Sequence, residues 1–210
     1  FGGASDDLIT VTRLNSRTDT LDIDGQGGAD RYVVNITGGN TAYLINVFDT
    51  GSDAGADQLT VYGTNDPDNF LLRASRDAYP TGVGFVAALH GDCVSVLERV
   101  NYNKNLEQLV VDAQGGDDTV TLDDNWAATT IRGGPGQDHF QVGQLFASER
   151  DASAGIGTAD HFETTLSTRG YLSNGVSYAT TIDGGAGDDE FILFRNKAPM
   201  TLLGGAGDDV

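Results

Sequence analysis

The residues best suited to chemistry in this chain are aspartates that follow glycines. Only Glu98, Glu107, Glu149, Glu163 and Glu190 are glutamate, so 26 of the 31 acidic residues are aspartate. The clearest grouping is Gly184-Gly185-Ala186-Gly187-Asp188-Asp189-Glu190-Phe191-Ile192. Gly204-Gly205-Ala206-Gly207-Asp208-Asp209 repeats it, and Gly133-Gly134-Pro135-Gly136-Gln137-Asp138-His139-Phe140 varies it. Weaker copies end at Asp7, Asp30, Asp57, Asp68, Asp118 (after Gly115, Gly116 and Asp117) and Asp160. Calcium takes about six to eight oxygens at about 2.3–2.6 Å, from carboxylates and backbone carbonyls. Turning consecutive carbonyls toward one ion requires positive φ, which glycine adopts without a Cβ clash. A compact aspartate then adds charge. On this reading Asp189 and Asp209 share a calcium ion with carbonyls of residues 184–187 and 204–207, and Asp118 and Asp138 form a second shared site. The expected metal set is Asp7, Asp30, Gly115, Asp117, Asp118, Gly133, Gly134, Gly136, Asp138, Gly184, Gly185, Gly187, Asp188, Asp189, Gly204, Gly205, Gly207, Asp208 and Asp209.

A single Gly-Gly-x-Gly-Asp is ordinarily a surface turn. Three good copies at regular spacing favour metal for Asp138, Asp189 and Asp209. At Asp57, Asp68 and Asp160 the plain-turn reading stays open, because glycine positions there hold Ser52, Thr64, Ile156 or Thr158. The stretch 184–192 resembles the GGxGxDxUx nonapeptide of the repeats-in-toxin, or hemolysin-type calcium-binding, family. The resemblance is strong over 131–142 and 182–210, moderate over 1–36 and 112–122, and thin elsewhere. It implies calcium in the first six residues of each unit, a short strand in the last three, and a parallel β-roll within a large secreted bacterial protein.

Other chemistry finds little support. The three histidines are His90, His139 and His161, and two of them follow a motif aspartate, where an exposed strand position is expected. Cys93 precedes the apolar Val94-Ser95-Val96-Leu97 and reads as a small buried hydrophobe. No nucleophile elbow, HExxH or phosphate loop occurs. Asp123-Asp124-Asn125-Trp126 places the lone tryptophan beside two acids. A corner between strands is the default there, with a sugar-stacking tryptophan as the sharper alternative.

The elements that must carry these turns repeat with them. Asp118 to Asp138 and Asp189 to Asp209 are each 20 positions, Asp138 to Asp160 is 22 and Asp7 to Asp30 is 23. A constant step of this size predicts an all-β parallel β-roll or β-solenoid with about 20 residues per coil. Family units placed back to back would give a shorter step, so one side of each coil is expected to keep the metal turn while the other has drifted. Alternation in Thr119-Val120-Thr121-Leu122 and Ala128-Thr129-Thr130-Ile131 points Val120, Leu122, Thr129 and Ile131 inward. Coils with metal-type turns are expected over 1–72, 106–145 and 179–210. Irregular insertions or degenerate coils are expected over 73–105 and 146–178. Within the first, 74–82 reads as a loop and 83–89 and 94–97 as strands. One short helical turn fits around 101–107.

Composition bounds the partners. A formal charge of −19 excludes nucleic acid, whose recognition needs a basic footprint, and favours cations. No apolar run approaches the roughly 18 residues of a membrane span. One cysteine permits no internal disulfide. The chain opens at Phe1-Gly2-Gly3 and closes at Asp209-Val210, inside repeats, and so reads as a segment of a longer secreted, extracellular or cell-surface protein. The expectation is a non-enzymatic, calcium-stabilised structural or adhesive segment. Self-association in a surface layer, sheath or filament, and contact with a glycan or cell-surface receptor, are the partners it allows. A carbohydrate-active module and the secretion-associated repeats of a toxin or protease are the rival readings.

Overall fold

The computed structural model describes every residue except 13, 15–18, 40, 52–54, 78–79 and 91–96. Cys93, Ser52 and most of the strand expected over 94–97 lie outside the described residues. The rest is almost entirely β. Seven strands form one wholly parallel sheet: β1 (Leu8–Val11), β3 (Arg31–Asn35), β5 (Gln58–Tyr62), β9 (Gln108–Asp112), β11 (Ala128–Pro135), β16 (Thr180–Ala186) and β18 (Met200–Ala206). Eight form a second sheet, in the order β17 (Glu190–Leu193), β12 (His139–Val142), β10 (Thr119–Leu122), β6 (Asn69–Ala74), β7 (Gly84–Leu89), β8 (Leu97–Tyr102), β4 (Tyr43–Val47) and β2 (Asp19–Ile23). The chain crosses between the two sheets after nearly every strand.

Why these segments become strands follows from their alternation. β3, β9, β10 and β12 bury every second residue, and the buried set faces the opposite sheet. Tyr32, Val34, Leu59, Val61, Leu109, Ile131 and Ile182 from the first sheet meet Ile45, Val47, Phe70, Leu72, Val100 and Phe140 from the second in one core. Equivalent residues stack from strand to strand, as Phe140 and Phe191 do with ring centroids 5.1 Å apart. A parallel register fixed by one buried face tolerates no one-residue slip, since that would turn the whole apolar set outward.

The all-β, parallel expectation holds for the body, but two departures appear. β7 lies antiparallel between β6 and β8, so the second sheet is mixed. β7 is buried on both faces because Val83, Phe85 and Ala87 pack outward against Phe48 and Leu71. Around 146–178, β13 (Leu145–Phe146), β14 (Thr164–Ser167) and β15 (Gly170–Ser173) make a small antiparallel sheet, with two 3-10 turns at 152–154 and 158–160 between β13 and β14. No helix forms over 101–107. Asn101 and Tyr102 complete β8, and Asn103 and Asn105 then bind the carbonyl of Asp49 through their side-chain amides. Among the described residues no helix is long and apolar enough to cross a membrane.

Candidate metal centre

Turns leading from the second sheet into the first carry Asp30 and Asp57, ahead of β3 and β5, and Asp7 holds the equivalent place ahead of β1. Turns leading out of the first sheet carry Asp68, Asp118, Asp138, Asp189 and Asp209. In parallel strands these two classes of turn lie at opposite strand ends, so the aspartates form two rows on opposite edges, changing over at β5. Asp57 and Asp118 therefore belong to different rows.

Both rows are built by the same bond. The backbone N–H of each aspartate donates to Oδ1 of the next one along: Asp68 to Asp118 (2.8 Å), Asp118 to Asp138 (2.9 Å), Asp138 to Asp189 (2.9 Å) and Asp189 to Asp209 (3.0 Å). In the other row Asp7 donates to Asp30 (2.8 Å), Asp30 to Asp57 (2.7 Å), and Asp57 to Oε2 of Glu107 (2.7 Å), which takes the aspartate's place and ends the series.

The second carboxylate oxygen is the informative atom. Oδ2 of Asp118, Asp138 and Asp189 is buried with no hydrogen-bond partner, as is that of Asp7. Asp118, Asp138 and Asp189 are 1%, 2% and 0% exposed. A side chain on Gly133 would strike Asp138 Oδ2 and approach the carbonyl oxygen of Gly184 to 2.6 Å. One on Gly184 would strike Asp189 Oδ2 and approach the Gly204 carbonyl to 2.7 Å. Oδ2 of Asp138 and of Asp189 thus each share a glycine-walled space with a carbonyl oxygen of the adjoining turn. Two acceptors facing one another in a buried space repel unless a proton or cation lies between them. Burial, with the neighbouring carboxylates adding to it, raises Asp118 to about 7 and Asp138 to about 6, and raises Asp189 as well. A buried acceptor without a donor, a carbonyl beside it and a cradle only glycine leaves open suit an oxygen-coordinated cation.

The expected residues divide by position. Gly133, Gly134, Gly136 and the equivalents at 184–187 and 204–207 line the turns. Gly134, Gly185 and Gly205 hold φ of 106°, 107° and 107°. Asp117, Asp188 and Asp208 form a second, exposed series, in which Oδ1 of Asp117 accepts from Gln137 N and Oδ1 of Asp188 from Asp208 N, both at 2.9 Å. Gly115 lies opposite Pro135, the third place of its turn. Ala113 and Gln114 fill the first and second, and Gln114 takes φ 74° itself. Asp68 joins the row, but its Oδ2 accepts from Thr64 N (2.7 Å) and Oγ1 (3.1 Å). Asp160 belongs to neither row and pairs with Arg99 at 2.7 Å.

No protein-family model, curated protein or solved structure matches the chain.

Asp49 is a site residue that sequence reasoning missed. The carboxylates of Asp30, Asp49 and Asp57, all buried, offer oxygens within 4.8 Å of one another. Asp49 Oδ2 accepts from the Tyr32 hydroxyl (2.6 Å), which accepts from Gly25 N (2.7 Å). Asp49 stands ahead of its turn, outside any motif spacing, so nothing in the sequence marks it. Nor are the histidines all exposed: His139 is half-buried beside Glu190 at 2.8 Å, while His161 is buried and bonds the carbonyl of Ile156 at 3.0 Å.

The tightest backbone requirement sits at Gly185. Its φ of 107° disfavours any L side chain, and a Cβ would also strike the Gly134 carbonyl of the neighbouring strand. Gly185→Ala is expected to cost on the order of 1–3 kcal/mol in a urea melt. Ala186→Gly, at the exposed third place of the same turn, should cost less than about 1 kcal/mol. Equal midpoints for the two would contradict the tight turn.

Proposed function

We propose that this chain is a calcium-stabilised structural or adhesive segment of a large extracellular bacterial surface protein, folded as a β-solenoid of about 20 residues per coil. The alternation of the chain between two stacked sheets, the first wholly parallel and the second parallel apart from β7, supports the solenoid reading. The observation that carries the metal is the set of buried, unpartnered Oδ2 atoms on Asp118, Asp138 and Asp189, of which those of Asp138 and Asp189 lie beside a carbonyl of the next turn. Calcium would be held by those carboxylates with carbonyls of residues 133–136, 184–187 and 204–207. Its contribution there is charge neutralisation between stacked turns. Magnesium fits less well, because it surrenders its waters reluctantly and demands a tight octahedron.

A net charge of −19 makes the compact metal-free chain repel itself. Extracellular calcium modules bind with dissociation constants of roughly 0.1–1 mM, so such sites stay empty at cytosolic calcium and fill outside the cell. Several coupled sites could then supply much of the roughly 5–15 kcal/mol that stabilises a typical domain. Folding would follow export.

A calcium titration followed by far-UV circular dichroism tests this. The β-sheet signal should rise cooperatively with calcium and fall when a chelator is added. A spectrum indifferent to calcium, with no binding heat in a parallel calorimetric titration, would sink the proposal.

A further inference from the structure

The two stretches that interrupt the repeat meet in space. Ser75 Oγ and Arg76 N, in the connection between β6 and β7, both donate to the carbonyl of His161, at 2.9 and 2.6 Å. The Arg73 guanidinium lies 4.2 Å from the Phe162 ring centre and pairs with buried Asp123 at 2.6 Å. Residues of the two interruptions 86 positions apart in sequence thus pack together against the body. In repeat architectures, insertions on one face commonly build the binding surface.

Along that seam run two hollows of about 160 and 190 Å³, which share Arg76 and Glu163 in their walls. They adjoin at those two residues, and each is smaller than the roughly 300–1,000 Å³ typical of ligand clefts. In the first hollow Asn174 Nδ2 donates to Asp124 Oδ2 at 2.7 Å and reaches Glu163 Oε2 at 3.4 Å, so one buried amide fixes both acids. Arg76 and Lys104 balance them, and Tyr178, 43% exposed, supplies an open aromatic ring. Trp126 forms the back wall, with Lys104 Nζ 4.6 Å above its ring.

We propose that this cleft binds a neutral oligosaccharide. Donors and acceptors alternate within a small space, as the vicinal hydroxyls of a sugar require. In the first hollow two cations and two acids cancel, so a charged ligand gains little there. Tyr178 offers the flat apolar surface against which the C–H face of a pyranose ring packs. A nucleic acid would need a basic footprint, and an extended peptide a sheet edge or apolar groove, neither of which is found in this hollow.

Trp126 is the chain's only tryptophan, so its fluorescence reports on the cleft alone. The test titrates the calcium-loaded chain with cellotetraose, chitotetraose, mannotetraose and, as a charged comparison, tetragalacturonate. At least one neutral tetrasaccharide should shift the emission saturably. Tyr178→Ala and Glu163→Gln, both at exposed positions, should each weaken that binding by roughly tenfold or more while leaving the circular dichroism unchanged. No saturable shift with any neutral sugar, preference for the galacturonate, or undiminished binding in both variants would overturn the proposal. None of the cleft residues belongs to the aspartate rows, so repeating the titration without calcium separates failure here from failure of the metal reading.

Discussion

Asp138→Ala is expected to lower calcium affinity and to loosen the turns on either side of it together. Asp138 stands inside the longer row: its Oδ1 accepts from Asp118 N and its own N–H reaches Asp189. Removing the carboxylate leaves the buried Asp118 amide without an acceptor, which costs about 1–3 kcal/mol even before any ion is considered. It also removes an anionic ligand from the proposed sites. Asp22 is the comparison, an exposed strand residue whose carboxylate accepts from the Asn46 side chain at 2.7 Å. Asp22→Ala should stay within about 0.5 kcal/mol. Calorimetric calcium titration and urea melts on both variants decide this, and equal behaviour would refute the row as a functional unit.

The second large effect is a reversal of pH dependence by metal. Burial raises Asp118 to about 7 and Asp57 and Asp138 to about 6, from an ordinary 3.8. Asp118 faces Asp68, Asp117 and Asp138, and the leading electrostatic influences on it are these carboxylates, which add to the shift. Acids raised on folding bind more protons folded than unfolded between the two values. Their stabilising contribution is therefore full below about pH 4 and is lost as pH climbs through 6 to 7. A tenfold change in proton affinity is worth about 1.4 kcal/mol, so Asp118 alone contributes on the order of a few kcal/mol. Without metal the melting temperature should rise by several degrees on acidification from pH 8 to pH 5, with carboxylates elsewhere in the chain opposing the trend. With saturating calcium the dependence should flatten or invert, because the ion replaces the shared protons and acid displaces it. Parallel slopes in calcium and in chelator would exclude the rows as the cation sites.

Much of the architecture could be read from residues 112–142 and 180–210, where glycine, aspartate and an apolar partner recur on a near-constant step. The alternation of Val120 with Leu122, and of Thr129 with Ile131, identified inward positions without any knowledge of the opposing sheet. What escaped was set by distant packing. The change of edge at Gly63–Asp68 depends on which sheet the chain is leaving, a property absent from local spacing. β7 turns antiparallel because Phe85 and its neighbours find a second apolar surface on the outer face of the sheet. Gln114 holds a glycine's place at φ 74°, which its residue type does not announce. The cluster around Asp49 and the cleft beside Trp126 both join residues from separate passes of the chain, and no motif could have united them.

A crystal structure of the chain grown in calcium, with ions located by anomalous scattering, bears most directly on the aspartate rows. Ions should lie between the turns of Asp118, Asp138, Asp189 and Asp209, bound to their Oδ2 atoms and to glycine carbonyls. Six to eight oxygens at about 2.3–2.6 Å are expected. Empty turns with protonated Oδ2 atoms, or compact octahedral sites near about 2.1 Å, would contradict calcium as the ion these rows are built to hold.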